Sequence, residues 1–232
     1  MIVFEEFVER GSRALYGPVL SGLQNSDMFM AKTFLPAVHT FIQEMRTLFA
    51  EEVGDDAKWE KARHLFHVLI KDPDLREHAR TWPTSPAELG LEGKHANLLF
   101  YEDPDYGFVM NGLIKAPNAK TTVHDHGKSW TLYGVVAGGE SVVRFDRTDG
   151  GQPGDLPKTA EVVATDEVHV APGYVDYIKP WEIHAEHNGP APTVAVIIRS
   201  QKCGTYVQNI FYQKDSKVEQ YYGPKQIPFD LN

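Results

Sequence analysis

The chain has 232 residues, 42% of them hydrophobic and 24% charged, with a formal net charge of −9 at pH 7. That composition is ordinary for a globular protein, and the acidic balance argues against nucleic acid or an anionic membrane surface as the main partner. One cysteine, Cys203, excludes an intramolecular disulfide; the N-terminus lacks the basic and apolar regions of a signal peptide, so a cytoplasmic location is expected.

Residues 1–92 carry helical spacing and form an expected N-terminal helical region. Phe4, Phe7, Val8 and Leu15 make one stripe. A longer one runs from Phe34 to Phe49, and a third through Trp59, Ala62, Leu65, Phe66, Leu69 and Ile70, with Asp55 or Asp56 placed to cap it. Pro73 stops or restarts the helix, and Ser85-Pro86 opens a short turn that Gly90 ends. From residue 93 to the end the period becomes two. Strands are predicted at 96–101, 108–115, 121–126, 130–137, 141–147, 161–163, 167–170, 183–187, 193–199 and 205–211, separated by Gly, Pro and Asn turns. Segment 148–158 is polar and turn-rich and reads as an exposed excursion. The expected fold is mainly β, a sandwich or barrel behind a helical extension.

The densest chemistry lies in Thr121-Thr122-Val123-His124-Asp125-His126-Gly127-Lys128-Ser129-Trp130. On a strand, side chains two apart share a face, so the His124 and His126 imidazoles can converge. His184, in Glu182-Ile183-His184-Ala185-Glu186-His187-Asn188, supplies a third from a distant strand. Three imidazoles make a cradle for a divalent metal. The same alternation puts Lys128 on the side of His124 and His126, and Glu182 and Glu186 on the side of His184. Glu182 is the candidate fourth ligand or general base, Lys128 or Arg199 the candidate counter-charge for a substrate anion, and Tyr133 and Trp130 candidate cavity walls. His187 should face away. His64 and His67, at helical i, i+3 spacing, are read as neighbours of a core stripe, and Cys203 as an inert thiol.

These motifs resemble those of the cupin superfamily, whose fold is a jelly-roll barrel (double-stranded β-helix). The first signature resembles His124-x-His126 with Gly134 or Gly138 behind it; the second resembles Pro172 followed by His184-x-x-x-Asn188. The resemblance covers residues 93–212. Where most metal cupins carry a glutamate, this chain has Ser129 and Trp130. A three-histidine site without glutamate, and the wording His-Asp-His-Gly-x-x-Trp-x-x-Tyr-Gly-Val, are similar to the thiol dioxygenase branch, the relatives of cysteine dioxygenase. The chain departs from that branch in two places. No arginine stands in residues 93–98, and no Ser-x-His-x-Tyr run follows the third histidine.

The resemblance implies a metal-dependent dioxygenase, with Fe(II) as the expected cofactor and Zn, Ni or Mn as alternatives. Dioxygen and a small molecule, with an anionic thiol oxidised to a sulfinate as one case, are the implied partners. Another metal-dependent isomerase, decarboxylase or hydrolase on the same barrel, or a non-catalytic ligand-binding cupin, are the competing readings. Strand edges and the helical extension are compatible with a homodimer.

Overall fold

The computed structural model describes residues 34–231. The stripe Phe4, Phe7, Val8 and Leu15 lies outside them. Three helices come first: α1 (Pro36–Phe49), α2 (Asp55–Ile70) and α3 (Pro73–Ala79). Gly54 is the N-cap of α2, with Asp55 and Asp56 inside its first turn, where carboxylates favour the positive end of the helix dipole. Asp72 caps α3 by accepting from Leu75 N at 2.8 Å. A 3-10 turn at Pro86–Leu89 ends on Gly90, as expected.

Twelve strands follow among the described residues: β1 (His95–Glu102), β2 (Val109–Lys115), β3 (Val123–His124), β4 (Thr131–Ala137), β5 (Glu140–Arg147), β6 (Val162–Val170), β7 (Val175–Ile178), β8 (Ile183–Asn188), β9 (Thr193–Arg199), β10 (Gln208–Tyr212), β11 (Lys217–Tyr221) and β12 (Gln226–Pro228). They form two six-stranded sheets, in the orders β12-β1-β2-β9-β4-β7 and β11-β10-β3-β8-β5-β6. The eight strands from β2 to β9 cross between sheets so that β2-β9-β4-β7 faces β3-β8-β5-β6. That interleaving is the jelly roll. All pairs are antiparallel except β12 alongside β1. No helix among the described residues is long and apolar enough to cross a membrane.

The described helices and the barrel belong to one compact unit. α2 presses on β4 at Gly134, where an added Cβ would lie 2.5 Å from Ile70 Cγ1 and 2.9 Å from a Phe66 ring carbon. Gly134 is what lets the helix approach so closely. Aromatic edges seal the rest: Phe49 meets Phe108, and Trp82 meets Phe100. Between the sheets, one half of the interior is apolar, with Val135, Val142, Val170, Ile178 and Ala195 in one cluster.

Several strands differ from their predicted spans. The two segments predicted at 161–163 and 167–170 are one nine-residue strand, β6, at the edge of its sheet. Its seven interior residues are exposed on both faces, so it carries no alternation to read. β7, β11 and β12 were not predicted. They are short, and β11 is mostly solvent-facing.

Candidate metal centre

His124 lies on β3 directly opposite His184 on β8, and Arg144 of β5 flanks His184 on its other side. The ladder of β3 ends at His124, and the predicted strand through residue 126 is cut short. Asp125 turns outward and ties the bend down, accepting from Gly127 N at 2.9 Å, Asn209 N at 2.9 Å and Asn209 Nδ2 at 2.8 Å. Gly127 adopts φ +53°, and an added Cβ would stand 2.0 Å from the Val207 carbonyl oxygen. The turn therefore requires glycine, and it delivers His126 to the same interior point as His124.

The three rings meet. One ligand nitrogen from each of His124, His126 and His184 lies within 4.8 Å of the others, and all three residues are buried. His124 Nε2 and His126 Nε2 are 3.3 Å apart. Two nitrogens each ~2.1 Å from one ion at tetrahedral to octahedral angles stand ~3.0–3.4 Å apart. The outer nitrogens are held from behind. His124 Nδ1 is 2.9 Å from the Thr122 carbonyl, which can only accept, so Nδ1 carries the proton and Nε2 offers its lone pair inward. His126 Nδ1 is 2.8 Å from Thr131 Oγ1.

His184 decides whether these residues fit a metal. It is fully buried, and among the described residues neither of its ring nitrogens makes a well-formed hydrogen bond, although the Glu182 backbone is near enough to act on the ring. A buried polar group left unmade is costly, and an ion at the triad would satisfy it. Burial, reinforced by the neighbouring His124, lowers its pKa to about 3. Burial likewise pushes His126 well below the usual histidine range, with His184 and His124 adding to it. Both rings are therefore neutral at pH 7, the form that ligates a cation.

The His124 and His126 rings open into a cavity of about 270 Å³, whose walls include His95, Asn97, Tyr133, Glu186, Arg199 and Tyr221. Tyr133 thus lines it as expected, though its hydroxyl is committed to Glu140, to which it donates. Arg199 is buried, and its one hydrogen bond among the described residues goes from Nη1 to Asn111 Oδ1 at 3.0 Å. Asn111 is itself oriented: Nδ2 donates to the Leu98 carbonyl at 3.0 Å, and Oδ1 also accepts from Gln226 Nε2 at 2.9 Å. The result is a held guanidinium with no carboxylate against it among the described residues. Asn97 Oδ1 and His95 Nε2 are buried without partners.

Other expected positions lie elsewhere. Lys128 is exposed on the turn after Gly127, because the strand whose alternation would have turned it inward stops four residues earlier. Glu182 precedes β8: Trp181 sits at φ +67° and breaks the extended run there. The Glu182 side chain is 40% exposed, accepts from Lys179 N at 3.0 Å, and borders a different, outer cleft. The carboxylate beside the triad is Glu186, with Oε1 3.7 Å from His184 Nε2. Trp130 stacks on Tyr177 at 5.7 Å and does not line the cavity. His187 pairs across the sheet with Ser141 and stays half-buried; His64 and His67 are exposed; Cys203 is buried. His95, Asn97 and the β10–β11 residues of the wall carried no sequence signal of their own.

No protein-family model matches the chain, and no curated protein matches it. Solved structures do. CapF bound to 3-isopropenyl-tropolone is similar at 19% identity over 50% of this chain and 30% of that one, TM-score 0.38. Oxalate oxidase with the substrate analogue glycolate is similar at 19% identity over 46% and 50%, TM-score 0.35. A sugar phosphate isomerase from a cupin superfamily, from Silicibacter pomeroyi, is similar at 16% identity over 50% and 67%, TM-score 0.33. The chain spans about a third to a half of the length of the first two. The fold assignment rests on the strand order described above.

Proposed function

We propose that the chain is a metal-dependent, Fe(II)-type dioxygenase that oxidises a small anionic thiol to a sulfinate. The observation that carries this reading is the buried His184, its ring nitrogens without a well-formed hydrogen bond among the described residues, closing a three-imidazole cluster beside an Arg199 held by Asn111. His124, His126 and His184 would hold the ion, and bound Fe(II) supplies the one-electron chemistry that dioxygen needs to react with a closed-shell sulfur.

The chain's own residues do the rest. Arg199 binds the substrate's anionic group, and its hydrogen bond to Asn111 fixes its direction before substrate arrives. Leu113, Tyr133 and Ile197 present apolar wall and exclude water. His95, whose pKa is lowered chiefly by burial and by Lys115, stays neutral at the rim. In balance, RSH and O2 give RSO2− and H+: the O–O bond breaks, two S–O bonds form, sulfur loses four electrons and dioxygen gains them.

The test is an oxygen electrode with iron-loaded protein and a panel of small thiols with and without a carboxylate. Oxygen uptake is expected for carboxylated thiols, and Arg199→Met should raise their KM by ~30-fold or more while sparing the uncharged ones. Metal-loaded protein that consumes no oxygen with any thiol overturns the reading and leaves the metal centre standing.

A further inference from the structure

Glu186 is a buried carboxylate that touches no lysine or arginine among the described residues; against the cost of burial, Lys115 acts on it from a distance and, with His184 and His124, holds its carboxyl below the usual range. Its two oxygens have different roles. Oε2 accepts from Thr121 Oγ1 at 2.9 Å. The same hydroxyl accepts from Glu186 N at 2.8 Å, and Thr121 N donates to the Glu186 carbonyl at 3.0 Å. One bond to the side chain and two to the backbone fix Glu186 against Thr121, with Oε1 3.7 Å from His184 Nε2. The direct ion pairs nearby lie elsewhere: Lys115, which also lends Glu186 favourable charge from a distance, touches Glu140, and Arg144 touches Asp176. Glu186 is 5% exposed. A buried carboxylate without a direct ion-pair partner gains from a further positive charge placed beside it.

The point that the three histidines surround lies next to it, across His184. Glu186 is not itself one of the three converging ligands. We propose that Glu186 is the outer counter-charge of the centre: it supports the metal electrostatically next to His184 and accepts a hydrogen bond from a protic molecule bound there. This deepens the metal reading and rests on it. The carboxylate missing after His126 is returned by β8, two residues beyond His184, one shell further out. The centre then carries less net positive charge than three neutral imidazoles alone would leave.

The test uses Co(II) alone and azide as probes, with no turnover involved. Wild-type protein, Glu186→Gln, Glu186→Asp and His184→Ala are stripped and titrated with Co(II) against a competing chelator. Glu186→Gln keeps an acceptor for Thr121 and removes the charge. It should weaken Co(II) binding by ~10–100-fold, and Glu186→Asp should recover part of the loss. Azide should bind the Co(II)-loaded Gln variant more tightly than the wild type, because a repelling carboxylate is gone. If the Gln variant fails to fold, Thr121→Val, which frees the carboxylate from its lock, should weaken Co(II) binding in the same direction. Co(II) and azide affinities within twofold of wild type in a folded Gln variant overturn the proposal, while His184→Ala still losing Co(II) keeps the metal reading. A wild-type protein that takes up no Co(II) overturns both.

Discussion

Two groups of polar side chains are buried inside the same barrel, and they are finished differently. At the β4–β5 end, Lys115 pairs with Glu140, Tyr133 donates to the same carboxylate, and the ammonium lies 5.0 Å above the Tyr133 ring. The ammonium and the carboxylate there are in direct contact. At the β3–β8 end, among the described residues, the His184 ring nitrogens make no well-formed hydrogen bond, and neither Glu186 nor Arg199 touches an opposite charge from Lys, Arg, Asp or Glu. Burial is common to both groups. What differs is whether the protein completes its own polar contacts, and the incomplete set is the one shaped to receive something from outside.

The sharpest way to break the contrast is His184→Leu. Co(II) binding should fall by ~100-fold or more with one of three ligands gone, while the metal-free protein gains ~1–3 kcal/mol, because an unsatisfied buried polar group is replaced by an apolar one of similar size. Chemical denaturation of the stripped protein reads the second effect, and a stability loss there would mean that His184 is a structural residue. At the other end the sign should reverse. Glu140→Gln strands the Lys115 charge and should cost about 3–5 kcal/mol by the same denaturation, with Co(II) affinity nearly unchanged.

Acid provides a milder probe. Unfolded histidines titrate near 6.5, whereas His184 is held at about 3 and His126 is also well lowered, both mainly by burial. Below about pH 6.5 the unfolded chain therefore binds more protons than the folded one, and stability falls as pH drops. The loss is up to about 1.4 kcal/mol per pH unit for each such histidine and continues for His184 down to about pH 3. A denaturation midpoint measured against pH in stripped protein should show this slope, and His184→Leu should flatten it. The smallest effect belongs to Lys128→Ala. The side chain is exposed, so stability should move by no more than ~0.5 kcal/mol; a large drop in Co(II) or substrate affinity would put Lys128 back at the cavity.

The helices, the barrel strands and the convergence of His124, His126 and His184 were legible in the sequence, because period and residue type act locally. The two neighbouring assignments failed for a shared reason. Alternation was extended past the ends of the strands. β3 stops at His124, so a glycine turn rather than the pleat aims His126 inward and leaves Lys128 outside. β8 starts at Ile183, so Glu182 never joins the face that Glu186 occupies. Strand ends depend on tertiary hydrogen bonds, such as Asn209 to Asp125 and Trp181 N to the Gly127 carbonyl, and no local pattern encodes them. Arg199 was visible as a charge at the end of an apolar run, but that it meets Asn111 rather than a carboxylate is a fact of packing alone.

The bare β6 strand has a practical outcome at the bench. Its backbone is an open template for a neighbouring chain, and Val163 and Val168 add apolar surface to it, at 46% and 41% exposed. Asp166 and Glu167 are the carboxylates on that strand that hold a second molecule off. Dissolved salt screens such repulsion within about a nanometre at physiological strength. Stocks of this protein should therefore keep best when dilute and low in electrolyte, and turn cloudy first when both are raised.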